Sequence, residues 1–115
     1  MRVKRVFDFE AAHLLPRHPG KCSRPHGHSY RLVVTVDRAV DRTSGLAIDF
    51  GDLKAVVHRE AVDALDHCDL NTFIENPSAE NIAAWIWERL RPSLPGLAEI
   101  ELWETRRCAV VYRGE

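Results

Sequence analysis

A segment of alternating apolar and polar residues at the start of the chain, followed by a β-branched run, points to a fold built on a β-sheet. In residues 2–13, Val3, Phe7, Phe9, Ala11 and His13 fall on one face, and Lys4, Asp8 and Glu10 on the other. Side chains alternate across a strand, so this pattern describes a strand with one face turned to a core. Arg5 interrupts the apolar face and Val6 the polar one. Residues 14–27 hold Pro16, Pro19, Gly20, Pro25 and Gly27, which makes them a loop. From His28 to Val36 the residues are rich in β-branched types, and a second strand is expected there.

Two helices follow. After a turn at Thr43-Ser44-Gly45, Asp49 is placed to cap a helix, with Asp52 in its first turn where the helix dipole favours negative charge. Leu53, Val56, Val57, Ala61, Ala64 and Leu65 recur at spacings of three and four, which predicts an amphipathic helix ending near Leu65. Asn76-Pro77-Ser78 opens a second helix, capped by Ser78, with a stripe of Ile82, Trp85, Ile86 and Leu90; Pro92, Pro95 and Gly96 close it. Ile100, Leu102 and Glu104 share one face of a third strand, and Cys108 to Tyr112 form a fourth after a turn around Arg106 and Arg107. The order β-β-α-α-β-β predicts an α+β fold: one domain over residues 1–115, an antiparallel sheet with two helices on one face. Four strands leave long open edges, and pairing between subunits is one remedy, so an oligomer is expected.

Composition removes whole classes of function. Lys and Arg number 16 against 17 Asp and Glu, a net charge of −1, without the basic excess of a nucleic-acid or membrane-surface protein. The longest apolar run, Ile82 to Trp87, is six residues, far below the ~20 of a membrane span. Met-Arg-Val-Lys-Arg leads straight into the first strand with no signal-peptide pattern. Three cysteines are too few, and odd in number, for a disulfide framework, so a reducing, cytoplasmic compartment is expected.

The chemistry begins at His26-Gly27-His28. On a strand, residues i and i+2 share a face, so both imidazoles can converge on one ion, and Gly27 leaves room for close backbone approach. His13 ends the first strand on its apolar face; if the two strands pair across the loop, its ring arrives beside the other two. Three neutral imidazoles with one open position are the ligand set of a catalytic zinc site. His18 and His58 receive no such role. Cys22, four residues before His26, either closes the shell as a fourth, structural ligand or stays free as a base or nucleophile. Spacing leaves both open.

A second cluster follows the first helix. Asp66 beside His67 lets a carboxylate orient an imidazole and raise its basicity, an acid/base arrangement; the alternative is a histidine drawn to a helix C-terminus by the dipole. Cys68 reads as a small buried filler. Glu104 occupies the inward face of an otherwise apolar strand, where a carboxylate is costly unless paired. It either pairs with Arg106 or Arg107, or anchors a planar heterocycle through two parallel N–H bonds, with the Thr105 hydroxyl beside it.

The chain resembles the 6-pyruvoyl-tetrahydropterin synthase family, most closely its bacterial, carboxy-forming branch. The matching pieces are Phe9-Glu-Ala-Ala-His13, Cys22-x3-His26-Gly-His28-Ser-Tyr30, Ile48-Asp-Phe50, Leu65-Asp-His67 with Leu70-Asn71, Asn76-Pro77 and Glu104-Thr105, in family order over nearly the whole chain. The resemblance implies a tunnelling fold, with trimers closing a β-barrel and two trimers stacking into a homohexamer with sites between subunits. It also implies zinc on His13, His26 and His28, Cys22 as catalytic base, Asp66 and His67 as its acid/base partners, and Glu104 as the pterin anchor. The three-residue spacing from Cys22 to His26 is similar to that of the carboxy-forming branch. The reaction so implied converts 7,8-dihydroneopterin triphosphate to 6-carboxytetrahydropterin, acetaldehyde and triphosphate, on the route to 7-deazapurines and queuosine. Its rivals are the 6-pyruvoyl-forming reaction and a non-catalytic zinc module. Arg17, Lys21 and Arg24 are either triphosphate contacts or a solvated loop.

Overall fold

The structure is a computed structural model describing residues 1–115. In chain order it consists of β1 (Arg2–His13), β2 (His26–Asp37), α1 (Phe50–Val57), a π-helical turn (His58–Val62) running into α2 (Asp63–Leu65), β3 (Cys68–Asp69), α3 (Ala79–Leu90), β4 (Leu97–Trp103) and β5 (Ala109–Tyr112). The sheet order is β3-β1-β2-β4-β5.

Strands β1 and β2 pair antiparallel along their whole length, from Arg2 opposite Asp37 to His13 opposite His26. The second strand therefore starts two residues before His28, where the sequence pattern begins, because pairing with Ala12 and His13 carries Gly27 and His26 into the ladder. Phe9 lies opposite Tyr30, and their rings stack at 4.9 Å. The face shared by Phe7, Phe9, Ala11, Tyr30, Leu32, Val34, Ile100 and Leu102 is buried, whereas Lys4, Asp8, Glu10, Ser29 and Arg31 are exposed on the other.

Both predicted caps are present. The Asp49 carboxylate accepts from the N–H groups of Gly51 and Asp52 at 2.8 and 3.1 Å, and Ser78 Oγ accepts from Asn81 N–H at 3.2 Å. The helical run 50–65 departs from its predicted stripe. The π-helical turn shifts the phase, so Val62 is buried and Ala64 faces solvent. Arg89 Nε donates to the Glu60 carbonyl within that turn at 2.9 Å. Leu53, Val57, Ala61, Val62 and Leu65 join Ile82, Ala83, Ile86 and Leu90 of α3 in one apolar core with the inner face of the sheet.

A fifth strand joins the four expected. Cys68 and Asp69 pair in parallel with Ala11 and Ala12, and two residues are too few to show any periodicity. Strand β4 ends at Trp103, so Glu104 stands at the start of the turn beyond it. No helix is long and apolar enough to cross a membrane.

Gly96 makes the entry to β4 possible. Its φ is 85°, its carbonyl accepts from Asp37 N–H at 2.8 Å, and an added Cβ would lie 2.6 Å from the Asp37 oxygen. Gly96→Ala is expected to cost about 2 kcal/mol, from a left-handed backbone and a collision with main chain. Urea unfolding should show a lower midpoint; a parental midpoint would contradict the tight approach.

Candidate metal centre and its surroundings

The three histidines predicted from spacing come together on the inner face, beyond the apolar core. His13 and His26 are cross-strand partners, and His28 lies opposite Ala11 on the same face. Their ring centroids are 4.5, 4.8 and 5.0 Å apart, each pair edge-on. His13 Nδ1 lies 2.7 Å from the Pro77 carbonyl oxygen, and His26 Nδ1 lies 2.7 Å from that of Arg24. A carbonyl only accepts, so in each neutral ring Nδ1 carries the proton and Nε2 presents its lone pair.

Those two Nε2 atoms face each other at 3.0 Å. Two lone pairs at that distance have no proton to share, and a cation between them satisfies both. His28 Nε2 is buried with no hydrogen-bond partner. It lies 3.2 Å from Glu104 Oε1, as does His13 Nε2. One donor atom from each of the four residues falls within 4.8 Å of the other three. Backbone carbonyls fixing the tautomer of imidazole ligands are the usual outer layer of a metal centre, and the orphaned nitrogen completes the fit of these residues to a metal ion.

The groups of the cluster shift one another's pKa values. Burial pushes His13 toward its neutral form, but hydrogen bonds to Glu104 and the Pro77 carbonyl outweigh it and its pKa is raised. For His28, burial and the two neighbouring histidines outweigh the attraction of Glu104, and the pKa is lowered. The His13 hydrogen bond holds the Glu104 carboxyl below its ordinary value despite burial.

Glu104 pairs with neither Arg106 nor Arg107; its carboxylate turns into the histidine cluster. Its backbone N–H donates to the Cys108 carbonyl at 3.0 Å. Thr105 parts company with it. Thr105 Oγ1 accepts from the N–H groups of Arg107 and Cys108 at 3.2 and 3.1 Å. Thr105 lines a cleft of about 480 Å³ with Arg31 and Trp103 instead.

Cys22 lies half-buried on a short 3-10 turn, Lys21–Ser23, whose loop is closed by a 2.8 Å bond from Leu15 N–H to the Cys22 carbonyl. Its sulfur is not among the four gathered donors. Asp66 and His67 also stand apart from them. Asp66 Oδ1 accepts from Glu10 N–H at 2.9 Å and lies 2.9 Å from His67 Nδ1; the first of these contacts is foremost in lowering the Asp66 pKa. His67 is the one non-glycine residue with positive φ, 60°, a conformation that needs support from its surroundings. Its N–H donates to the Glu10 carbonyl. The His67 side chain is 79 % exposed and lines a cleft of about 490 Å³ with Glu10, His28, Ser29 and Cys68. Cys68 is thus half-buried on an edge strand and not a core filler, because β3 lies outside β1.

Arg17, Lys21 and Arg24 are exposed, with Arg17 3.7 Å from Glu75. His18 Nδ1 accepts from Gly20 N–H, and His58 Nδ1 lies 3.0 Å from Asp63 Oδ1, both local contacts. Residue spacing carries no signal for the Pro77 carbonyl, which is main chain, or for Asn71, whose amide binds the backbone of Leu14.

The family model described as 6-pyruvoyl tetrahydropterin synthase matches residues 2–115. The chain belongs to this family. It is 42 % identical over 117 residues to the 6-carboxy-5,6,7,8-tetrahydropterin synthase of Synechocystis, covering 96 % of this chain and 91 % of the relative. It is 41 % identical over 115 residues to a dihydroneopterin monophosphate aldolase of Pyrococcus furiosus, covering 96 % of each. The 6-pyruvoyl tetrahydropterin synthase of Caenorhabditis elegans superposes with a TM-score of 0.92 at 28 % identity, over 100 % of this chain and 96 % of that one. The fold is thus the tunnelling fold of the tetrahydropterin synthases.

The orphaned ring supplies a clean test. His28→Ala removes a metal donor but no protein hydrogen bond, so metal affinity should fall more than about a hundredfold while the metal-free protein keeps its melting temperature. Calorimetric metal titration checks this; unchanged affinity would contradict the assignment.

Proposed function

We propose that this family member is a zinc-dependent 6-carboxy-5,6,7,8-tetrahydropterin synthase, a lyase acting on 7,8-dihydroneopterin triphosphate. The observation that carries the reading is the cluster of three imidazoles, two held by backbone carbonyls and one whose buried Nε2 has no hydrogen-bond partner. The name of the Synechocystis relative supports the product, and the Cys22-x3-His26 spacing agrees with it. Three histidines suit zinc and leave a coordination position for substrate. A zinc ion there would lower the pKa of a side-chain hydroxyl bound to it.

The chain's own groups divide the remaining work. With His13 and His28 engaged as ligands, the Glu104 carboxylate is left to accept two parallel N–H bonds from the pterin ring. Cys22, as thiolate, moves the proton at the side-chain carbon. Asp66, kept ionised by Glu10 N–H, orients His67 as its acid/base partner. Triphosphate loss and carbon–carbon cleavage follow, with one water consumed to supply the second carboxyl oxygen, yielding 6-carboxytetrahydropterin, acetaldehyde and triphosphate for 7-deazapurine and queuosine synthesis.

Asp66 and His67 stand outside the donor cluster of their own chain, which supports a site shared between subunits of a homohexamer built from two trimers. Strand β1 is paired on its outer side only at Ala11 and Ala12, and association would cover the rest of that edge. The three free thiols fit a reducing cytoplasm.

The near-equal identity to the Pyrococcus aldolase favours a second reading, carbon–carbon cleavage of dihydroneopterin monophosphate. Zinc-loaded, reduced protein given each phosphate ester separately distinguishes them by product mass. The triphosphate is expected to give a 6-carboxy product with acetaldehyde. A 6-pyruvoyl product without acetaldehyde, or cleavage of the monophosphate alone, would overturn the assignment in favour of a sister activity.

Cys22→Ala separates an enzyme from a zinc module with a structural shell of one cysteine and three histidines. The variant should bind zinc and unfold like the parent while kcat falls by about 10³, within the range for a lost acid/base group. Loss of zinc with loss of stability would mean that Cys22 is a ligand.

A further inference from the structure

We infer that Asn71 is a positioning residue that pins one strap of chain, residues 66–77, across the end of β1 and thereby orients both the metal ligand His13 and the acid/base pair Asp66–His67. Its side chain works as a piece of main chain. Asn71 Oδ1 accepts from Leu14 N–H at 2.9 Å, and Asn71 Nδ2 donates to the Leu14 carbonyl at 3.0 Å. The reverse orientation of the amide would set donor against donor and acceptor against acceptor, so one orientation alone serves. Leu14 directly follows His13 and is the first residue past the ladder, where its backbone groups have no strand partner.

Leu70 and Ile74 seat the strap in the apolar core, and its polar contacts to β1 lie on either side of that pin. On one side, Asp66 Oδ1 and His67 N–H take up both backbone groups of Glu10, and Cys68 and Asp69 pair with Ala11 and Ala12. The Asp69 carboxylate accepts from the N–H of Asn71 itself at 3.1 Å. On the other side, the strap ends at Pro77, whose carbonyl meets His13 Nδ1 at 2.7 Å and sets its tautomer. Two short parallel pairs are a weak ladder, and His67 holds an unfavourable left-handed backbone. The bidentate clamp on Leu14 is what keeps the strap in register, so that the Pro77 carbonyl reaches His13 and Asp66 reaches Glu10.

The inference rests on the proposed function only for the role of His67; its metal half stands on the His13 contact. The test uses full-length Asn71→Ala and the near-isosteric Asn71→Asp, which keeps an acceptor for Leu14 N–H but turns a second acceptor against the Leu14 carbonyl. Gly96→Ala, at the opposite end of the sheet, controls for lost stability. Zinc affinity is measured by chelator competition below the melting temperature, with hydrogen exchange at Leu14 and His67. Both Asn71 variants should bind zinc about 10- to 100-fold more weakly and exchange faster at those two amides, while Gly96→Ala keeps the parental affinity. With zinc saturating, kcat should still fall at least about tenfold because His67 is misplaced, and KM should stay within about threefold because Glu104 is untouched.

Zinc affinity within about twofold of the parent in either folded Asn71 variant would overturn the inference, as would a parental kcat once zinc is saturating. If the parent itself turns over no pterin, the functional reading fails, and the zinc and exchange measurements still decide the role of Asn71.

Discussion

The register of β1 against β2 is the constraint on which the candidate site depends. Side chains alternate across a strand, so a slip of one residue would carry His26 and His28 to the opposite face from His13. The register is held by apolar packing further along the same two strands. Phe9 stacks on Tyr30, and Phe7 lies opposite Leu32, all four nearly without exposure. The apolar core therefore specifies the geometry of the polar cluster. The same inner face runs from hydrocarbon at Phe7 to imidazole at His13 without a change of strand. The carbonyls of Pro77 and Arg24, each 2.7 Å from an Nδ1, orient the rings of His13 and His26 so that both Nε2 atoms turn toward the centre of the cluster.

A division of labour follows from the two faces. The metal donors lie on the inner face, in a region where His13 is 1 % exposed. Asp66 and His67, the proposed acid/base pair, hang from the outer edge of β1, tied to the backbone of Glu10, with the His67 ring open to solvent. The two groups are separate clusters, although His28 and His67 both line the cleft beside β1. The edge of β1 away from β2 is paired only at Ala11 and Ala12, which leaves most of it open to association.

Much of this was legible in the sequence, for identifiable reasons. Period-two alternation located β1, and the cap residues Asp49 and Ser78 located both helical starts, because those signals are local. The histidine cluster was legible because i, i+2 spacing and a strand-end position translate directly into one face. Other features depend on long-range contacts and leave no local pattern: the two-residue β3, the π-helical phase shift that exchanges Ala64 for Val62, and the clamp of Asn71 on Leu14. Glu104 was read as an inward carboxylate on a strand, whereas it stands just past the end of β4, and its partners are histidines of β1 and β2 and not the adjacent arginines. Thr105, next to it in sequence, faces a different cleft because neighbouring residues in an extended chain diverge.

Zinc K-edge X-ray absorption of the zinc-loaded protein separates an open metal centre from a closed one, since it counts the atoms on the metal without reference to turnover. The account predicts three imidazole nitrogens at about 2.0–2.1 Å and no sulfur. A sulfur shell at about 2.3 Å would place Cys22 on the metal, convert the centre into a closed structural site, and contradict the reading of this chain as an enzyme.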